Sequence, residues 1–221
     1  MRYGVSYYPE HKTEGDLRHD LELLKGSGIN TVRMGEFAWC RMEPVEGQYT
    51  FGWLQEVVEE LGQAGIRTIL CTPTACPPAW LVKKHPDILY MDNRRIRRPF
   101  GGRRHYCYNN ETYRQYSVKI AEELARAFAG NSYVAGVQID NEPAQEGTGR
   151  CCCPVCVDRF HTYLRERFGT IEEFNRRSGN IFWSQEYDDF EEIPVPVNTI
   201  EVGAQDQIRA YYENPTVRPP Q

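Results

Sequence analysis

Short apolar runs alternate with longer amphipathic segments along most of the chain, which is the pattern of repeated strand–helix units. Thr13 and Asn110 precede two of the amphipathic segments and can cap helices, and Gly65 ends another. The predicted strands span 3–7, 29–34, 66–71 and 133–140. The predicted helices span 13–26, 51–64, 110–128, 156–168 and 170–178.

Strand–helix units in a row predict a parallel α/β sheet, and right-handed crossovers give either a barrel or an open sheet. No G-x-G-x-x-G motif follows the first strand, which removes the usual reason to choose a dinucleotide-binding open sheet. The long loops after the next three strands contain Trp, Arg, Asn and Glu, as is typical of a (β/α)8 barrel.

A complete barrel takes about 250 residues and eight units, whereas this sequence shows four. We therefore predict the amino-terminal half of a (β/α)8 TIM barrel over 1–196, with the barrel incomplete. The stretch 197–221 is polar and rich in proline near its end, and it predicts a weakly structured tail.

The overall charge argues against some classes of function. The chain has 221 residues and a net charge of −5, whereas nucleic-acid binders are usually basic. No stretch approaches the roughly 20 apolar residues of a membrane span. The first ten residues, MRYGVSYYPE, lack the charged and apolar regions of a secretory signal. We therefore expect a cytoplasmic protein without membrane or nucleic-acid partners.

The sequence Gln-Ile-Asp-Asn-Glu-Pro at 138–143 follows the apolar run of the fourth strand. Strand alternation then places Asn141 and Glu142 at the barrel mouth. A carboxylic acid there can protonate a glycosidic oxygen, and a neighbouring amide can hydrogen-bond a sugar hydroxyl. The alternative interpretation is a strand-ending turn without chemistry. Its position in a strand–helix repeat favours Glu142 as a catalytic residue.

Eight cysteines are present, and in a reducing compartment they are thiols or metal ligands rather than disulfides. Cys151, Cys153 and Cys156 are closely spaced, and Cys107 lies on the loop after the third strand. Three clustered cysteines plus one distant cysteine meet the four-ligand count of a structural zinc site. Reduced surface thiols are the alternative, and the neighbouring Cys152 is an extra thiol.

The remaining thiols and the loop side chains allow simpler interpretations. Buried small thiols are expected at the three other cysteines, which are Cys40, Cys71 and Cys76. The arginine-rich stretch 94–104 is expected to be a solvated loop with one sugar-contacting arginine. Glu36 either hydrogen-bonds substrate or braces its loop, and Trp39 and Trp80 either stack on sugars or pack in the core.

Six longer segments carry a family resemblance. They read YGVSYYPE at 3–10, VRMGEFAWCRMEPVEGQY at 32–49, TPTACPPAWL at 72–81, GGRRHYCYN at 101–109, CCCPVC at 151–156 and FWSQEYDDFEEI at 182–193. In this order, and over residues 3–196, the chain resembles the β-galactosidases of glycoside hydrolase family 42. The resemblance implies hydrolysis of terminal non-reducing β-D-galactosides with retention of configuration.

The resemblance also implies roles for individual residues. Glu142 matches the family's acid/base, and Asn141 and Arg103 match residues that bind the sugar. The four cysteines at 107, 151, 153 and 156 match a structural Zn2+ site near the barrel mouth. The intact enzymes of this family are expected to be homotrimers.

The family's nucleophile is a second glutamate on the seventh strand, and no segment of this sequence matches it. Because a retaining mechanism needs two carboxyl groups, we expect this chain to be inactive by itself. Two alternatives stay open. One is a zinc-stabilised, catalytically dead half barrel that binds sugar or a partner chain. The other is a related glycosidase such as an α-L-arabinopyranosidase.

Overall fold

Four parallel strands lie in chain order in one sheet of the computed structural model, which describes residues 1–13, 16–143 and 150–195. The strands are β1 (Gly4–Ser6), β2 (Thr31–Met34), β3 (Arg67–Cys71) and β4 (Val134–Gln138). Each strand pairs in parallel with the next, for example Ser6 with Arg33 and Arg33 with Ile69. The strand order does not reverse, whereas an open doubly wound sheet reverses at its ligand site. This arrangement is that of consecutive units in a barrel.

Helices connect and follow these strands. They are α1 (Asp16–Gly26), α2 (Trp39–Met42), α3 (Gly52–Gln63), α4 (Ala79–Lys84), α5 (Glu111–Ala127), α6 (Pro154–Phe168) and α7 (Ile171–Ser178). The expected cap at Asn110 is confirmed, because its side-chain oxygen accepts a 3.0 Å hydrogen bond from the Tyr113 N–H. Gly65 follows α3 with φ of +83°, which suits a residue without Cβ.

The chain divides into two units, and each has its own apolar core. The first unit comprises Met1–Leu89 and Pro99–Thr148, and it contains the sheet and α1 to α5. In β2, Val32 and Met34 are both fully buried and belong to the apolar core of this unit. The intervening Arg33 points to the other face of the sheet, so polar side chains can gather there.

The second unit comprises Tyr90–Arg98 and Gly149–Gln221. Its core lies between α6, α7 and the turn at 190–192, and it contains Leu164, Phe168, Phe174, Phe190 and Ile193. His161 on α6 is buried, and its Nε2 lies 2.9 Å from the carbonyl oxygen of Ile193. This histidine therefore braces the second core.

Most predicted elements are confirmed, with strand ends shortened by one or two residues. Sequence periodicity missed α2 and α4, because helices of four and six residues are too short to show it.

The expected burial is confirmed for Cys71, but it is wrong for Cys40, which is exposed on the short α2. The predicted tail at 197–221 lies outside the described residues. Among the described residues, no helix is long and apolar enough to cross a membrane.

Candidate active site

The turn after β4 contains the candidate carboxylate. Asp140 and Glu142 both have left-handed backbones, with φ of +56° and +47°, on either side of Asn141. Such angles are uncommon for residues with a Cβ and persist only where surrounding contacts hold them. The chain therefore turns sharply at the end of the strand and sends the Asn141 and Glu142 side chains to different partners.

Two consecutive arginines hold Glu142. The Nη1 atom of Arg103 lies 3.0 Å from Oε2 of Glu142, and the two side chains are 29% and 45% exposed. Arg104 is almost fully buried, and its Nη1 donates a hydrogen bond to the backbone carbonyl of Glu142. One arginine thus fixes the carboxyl group, and the other fixes the main chain behind it.

Asn141 points inward and is only 3% exposed. Its Oδ1 accepts hydrogen bonds from Nη1 of Arg33 at 3.0 Å and from Nε2 of Gln138 at 3.2 Å. Among the described residues, only the oxygen of this amide is hydrogen-bonded. The amide NH2 is therefore the group that can donate to a ligand.

Arg33 joins three strand ends. Its Nη1 donates to Oε1 of Gln138 at 3.1 Å as well as to Asn141, and its Nη2 donates to Oγ of Ser6 at 2.8 Å. The same Nη2 lies 2.7 Å from Oε1 of Glu36, which is fully buried. A buried carboxylate needs such a charge partner, and the planar guanidinium supplies donors in several directions.

An aromatic wall borders the arginine at 103. The Tyr8 and Phe37 rings are stacked, with centroids 6.0 Å apart and planes 10° apart. The guanidinium carbon of Arg103 lies 5.5 Å from the centroid of Phe37, within the range of a cation–π contact. Burial, followed by the nearby Glu36 charge, raises the pKa of Tyr8. This tyrosine therefore stays neutral beside the Glu36 carboxylate.

A cysteine group lies in the second unit. The Sγ atoms of Cys151, Cys153 and Cys156 lie within 4.8 Å of one another, close enough to hold one metal ion. Cys153 occupies the residue position just before α6, and its side chain makes no hydrogen bond to the first turn of the helix. The Met91 N–H donates to Sγ of Cys151 at 3.4 Å, a contact that also suits a metal-bound sulfur. This cysteine group could bind a metal.

The fourth cysteine predicted as a ligand belongs to the first unit. Cys107 is buried, and its backbone N–H donates to the carbonyl of Ile88 at 2.7 Å. The extra thiol, Cys152, is also buried, and burial raises its pKa. Its Sγ donates to the carbonyl oxygen of Arg150 at 3.7 Å.

The residues predicted from the sequence, Arg103, Asn141 and Glu142, lie at one edge of the sheet. The sequence did not single out Arg33 and Arg104, which contact Asn141 and Glu142. Arg33 had a visible signal, because this charged residue lies between the apolar Val32 and Met34 of β2. Arg104 had none, since its contact with a backbone carbonyl depends on the tertiary fold.

Comparisons with known proteins identify the family of this chain. The family model described as beta-galactosidase, for glycoside hydrolase family 42, matches residues 6–214. A β-galactosidase of Thermus thermophilus is 42% identical over 209 residues, covering 95% of this chain and 32% of its own. Another, from Halorubrum lacusprofundi, is 43% identical over 196 residues, covering 89% of this chain and 28% of its own.

Solved structures of β-galactosidases are also similar to this chain. The Halorubrum lacusprofundi β-galactosidase has a TM-score of 0.86 at 42% identity, covering 91% of this chain and 30% of that one. The β-galactosidase from the psychrophilic Marinomonas ef1 has a TM-score of 0.85 at 37% identity, and the match covers 91% of this chain and 31% of that one.

These matches define the class of protein as a glycoside hydrolase. The chain belongs to glycoside hydrolase family 42. It spans about a third of the length of the curated relatives that it matches. The predicted fold is confirmed as a partial (β/α)8 barrel, because the structural neighbours are barrel enzymes of which only about 30% is covered.

Proposed function

We propose that this chain supplies the proton-transferring side of a retaining β-galactosidase site, with Glu142 as the acid/base. The observation that carries the proposal is the 3.0 Å pair between Glu142 and Arg103 at the carboxyl end of β4. In barrel enzymes this end of the strands contains the catalytic residues. The relatives are named β-galactosidases, which supports a terminal β-D-galactoside as substrate.

The neighbouring side chains fit this chemistry. Arg103 holds one carboxyl oxygen of Glu142 and leaves the other to face the glycosidic oxygen. That carboxyl group gives its proton to the leaving oxygen, and the resulting carboxylate then takes a proton from the attacking water. The amide NH2 of Asn141 can donate to a sugar hydroxyl, because Arg33 and Gln138 already occupy its oxygen.

The chain by itself is proposed to be inactive toward β-galactosides. Retention needs a second carboxyl group about 5–5.5 Å from the acid/base, and this group forms the covalent intermediate. By the family resemblance, that group comes from a strand outside the matched motifs. The proposed role of the chain is thus one half of a two-carboxylate site.

An assay of two purified proteins tests this proposal. One is the 221-residue chain, and the other is a chimera in which the chain is followed by the rest of the Thermus thermophilus relative. We expect turnover of a chromogenic β-galactoside by the chimera alone. Turnover by the 221-residue chain that is lost on Glu142→Gln would contradict the proposed inactivity of the chain. Higher activity of the chimera on α-L-arabinopyranosides than on β-galactosides would favour the related glycosidase. An inactive but sugar-binding chimera would favour the catalytically dead alternative.

A structural zinc ion is the second part of the proposal. Cys151, Cys153 and Cys156 would supply three thiolates, and Cys107 is proposed as the fourth ligand on the family resemblance and the four-ligand preference of zinc. A site with four protein ligands stabilises a fold but leaves no position for substrate.

Metal analysis of chain purified without chelator tests this site. We expect about one zinc per chain, and a large loss of zinc on Cys153→Ser or Cys107→Ser. Cys152→Ser is the matched control, because the same substitution next to the group should leave the zinc content unchanged. Less than about half an equivalent of zinc in the unsubstituted chain would contradict the proposal.

A further inference from the structure

Hydrogen bonds to other described residues hold one carboxyl oxygen and both backbone polar groups of Asp140. Its Oδ1 accepts hydrogen bonds from Oγ1 of Thr74 at 3.0 Å and from the Tyr106 hydroxyl at 3.4 Å. Its backbone N–H donates to Oγ1 of Thr72 at 2.8 Å, and its carbonyl accepts from Nε2 of Gln138 at 2.8 Å. Four contacts thus fix one residue that immediately precedes Asn141 and Glu142.

The anchoring residues are themselves packed in the interior. Thr72, Thr74 and Tyr106 are all buried. The Tyr106 ring stacks on Tyr113 with centroids 4.0 Å apart, and the Tyr113 hydroxyl donates to the carbonyl of Thr74 at 3.0 Å. The loop after β3 and the start of α5 therefore form one packed support under the turn.

The backbone of Asp140 explains why a support is needed. Its φ of +56° lies in the left-handed region, which aspartate adopts more readily than most residues with a Cβ. Glu142 has φ of +47°, which its own side chain does nothing to favour. The direction of the Glu142 carboxyl group toward Arg103 therefore depends on contacts outside residue 142.

We propose that Asp140 is a positioning residue, whose anchored carboxylate holds the left-handed turn that aims Glu142 at Arg103 and at the glycosidic oxygen. The inference rests on the proposed acid/base role of Glu142. Asp140 itself does not face the reacting atoms, because its carboxylate points to Thr74 and Tyr106. It acts through the main chain of the turn.

Kinetics of the chimera test this role. Misplacement of a catalytic group by about 1 Å can cost roughly 100-fold in rate, so Asp140→Ala should lower kcat about 100-fold with little change in KM. Asp140→Asn should restore kcat to within about fivefold, because asparagine tolerates positive φ and keeps an acceptor oxygen. Asp140→Gly should stay low, since it permits the backbone angle but lacks the anchor.

A matched pair of threonine variants covers the case in which Asp140→Ala does not fold. Thr74→Val removes one donor to the carboxylate and should lower kcat about tenfold. Thr68→Val is the control, because its buried hydroxyl has no hydrogen-bond partner among the described residues and should leave kcat unchanged. Equal kcat values for Thr74→Val and Thr68→Val, or for Asp140→Ala and the unsubstituted chimera, would overturn the inference.

An NMR measurement on the 221-residue chain separates this inference from the proposed function. We expect nuclear Overhauser contacts between the Arg103 and Glu142 side chains in the unsubstituted chain, Asp140→Asn and Thr68→Val. They should weaken in Thr74→Val and disappear in Asp140→Ala. If the chimera is inactive while these contacts follow this order, the catalytic role fails and the positioning stands. Contacts that persist in Asp140→Ala overturn the positioning, whatever the activity.

Discussion

The guanidinium of Arg103 contacts the carboxylate of Glu142 at 3.0 Å, although the two residues lie on loops after different strands. The pair is partly exposed, and pairs of this kind contribute only about 0–1 kcal/mol to stability. Its contribution is therefore geometric. It sets where a half-exposed carboxyl group points at the end of the sheet.

Arg103→Ala should lower kcat/KM of the chimera about 100-fold or more, because the proton donor loses its orientation. The free energy of unfolding should change by less than about 1 kcal/mol. Steady-state kinetics and urea unfolding measure the two effects. Arg94→Ala, at an exposed arginine of the same sequence stretch, is the control and should change neither. Unchanged kinetics for Arg103→Ala would show that the contact has no role in catalysis.

Breaking the pair between Arg33 and Glu36 should destabilise the chain strongly. Glu36 is fully buried, and loss of its charge partner leaves an uncompensated carboxylate. We expect Arg33→Ala to lower the free energy of unfolding by about 3–5 kcal/mol. The double variant with Glu36→Ala should be less destabilised than the sum of the two single variants.

The control for this cycle is an exposed ion pair. Arg126 pairs with Glu123 on the surface of α5, and Arg126→Ala should cost less than about 1 kcal/mol. Similar losses for Arg33→Ala and Arg126→Ala in urea unfolding would mean that the buried network is unimportant for stability.

Stability should fall as the pH falls because of His105. Burial lowers the pKa of this imidazole below its ordinary value of 6.5, and a contact with the Gly102 backbone opposes the shift. The unfolded chain therefore binds a proton more readily than the folded chain. The contribution to stability is complete above pH 6.5 and is lost as the pH falls from there toward the folded pKa.

His105→Phe should flatten the dependence of the unfolding free energy on pH just below 6.5, where one histidine contributes at most about 1.4 kcal/mol per pH unit. Urea unfolding at several pH values measures the slope. His19→Phe, at an exposed histidine, is the matched control and should leave the slope unchanged. An equal slope for His105→Phe and the unsubstituted chain would assign the pH dependence to other groups.

The sequence predicted the fold well because hydrophobic periodicity and apolar runs report which face is buried. Asn110 and Gly65 marked helix boundaries through capping chemistry that depends only on local residues. The motif containing Glu142 was visible for the same reason, since it directly follows an apolar strand. The expected homotrimer and cytoplasmic location stay predictions.

The supporting contacts of the site could not be predicted. Arg104 binds a carbonyl 38 positions away in the sequence, and Thr74 binds a carboxylate 66 positions away. Both depend on how the loops pack, and an isolated arginine or threonine gives no signal of this. The exposure of Cys40 was missed because a four-residue helix turns its side chain outward without any periodic pattern.

The most direct test of the central claim is the response of Glu142→Ala to leaving group and to azide in the chimera. A general acid is needed for a poor leaving group but hardly for 2,4-dinitrophenolate, so we expect a large loss of kcat/KM with alkyl galactosides only. With the dinitrophenyl substrate kcat should fall, because the general base that activates water is missing. Azide should then accelerate the reaction of 2,4-dinitrophenyl β-galactoside and give β-galactosyl azide, because it needs no general base. Equal losses on both substrates without azide rescue, or full activity on alkyl galactosides, would contradict the acid/base role of Glu142.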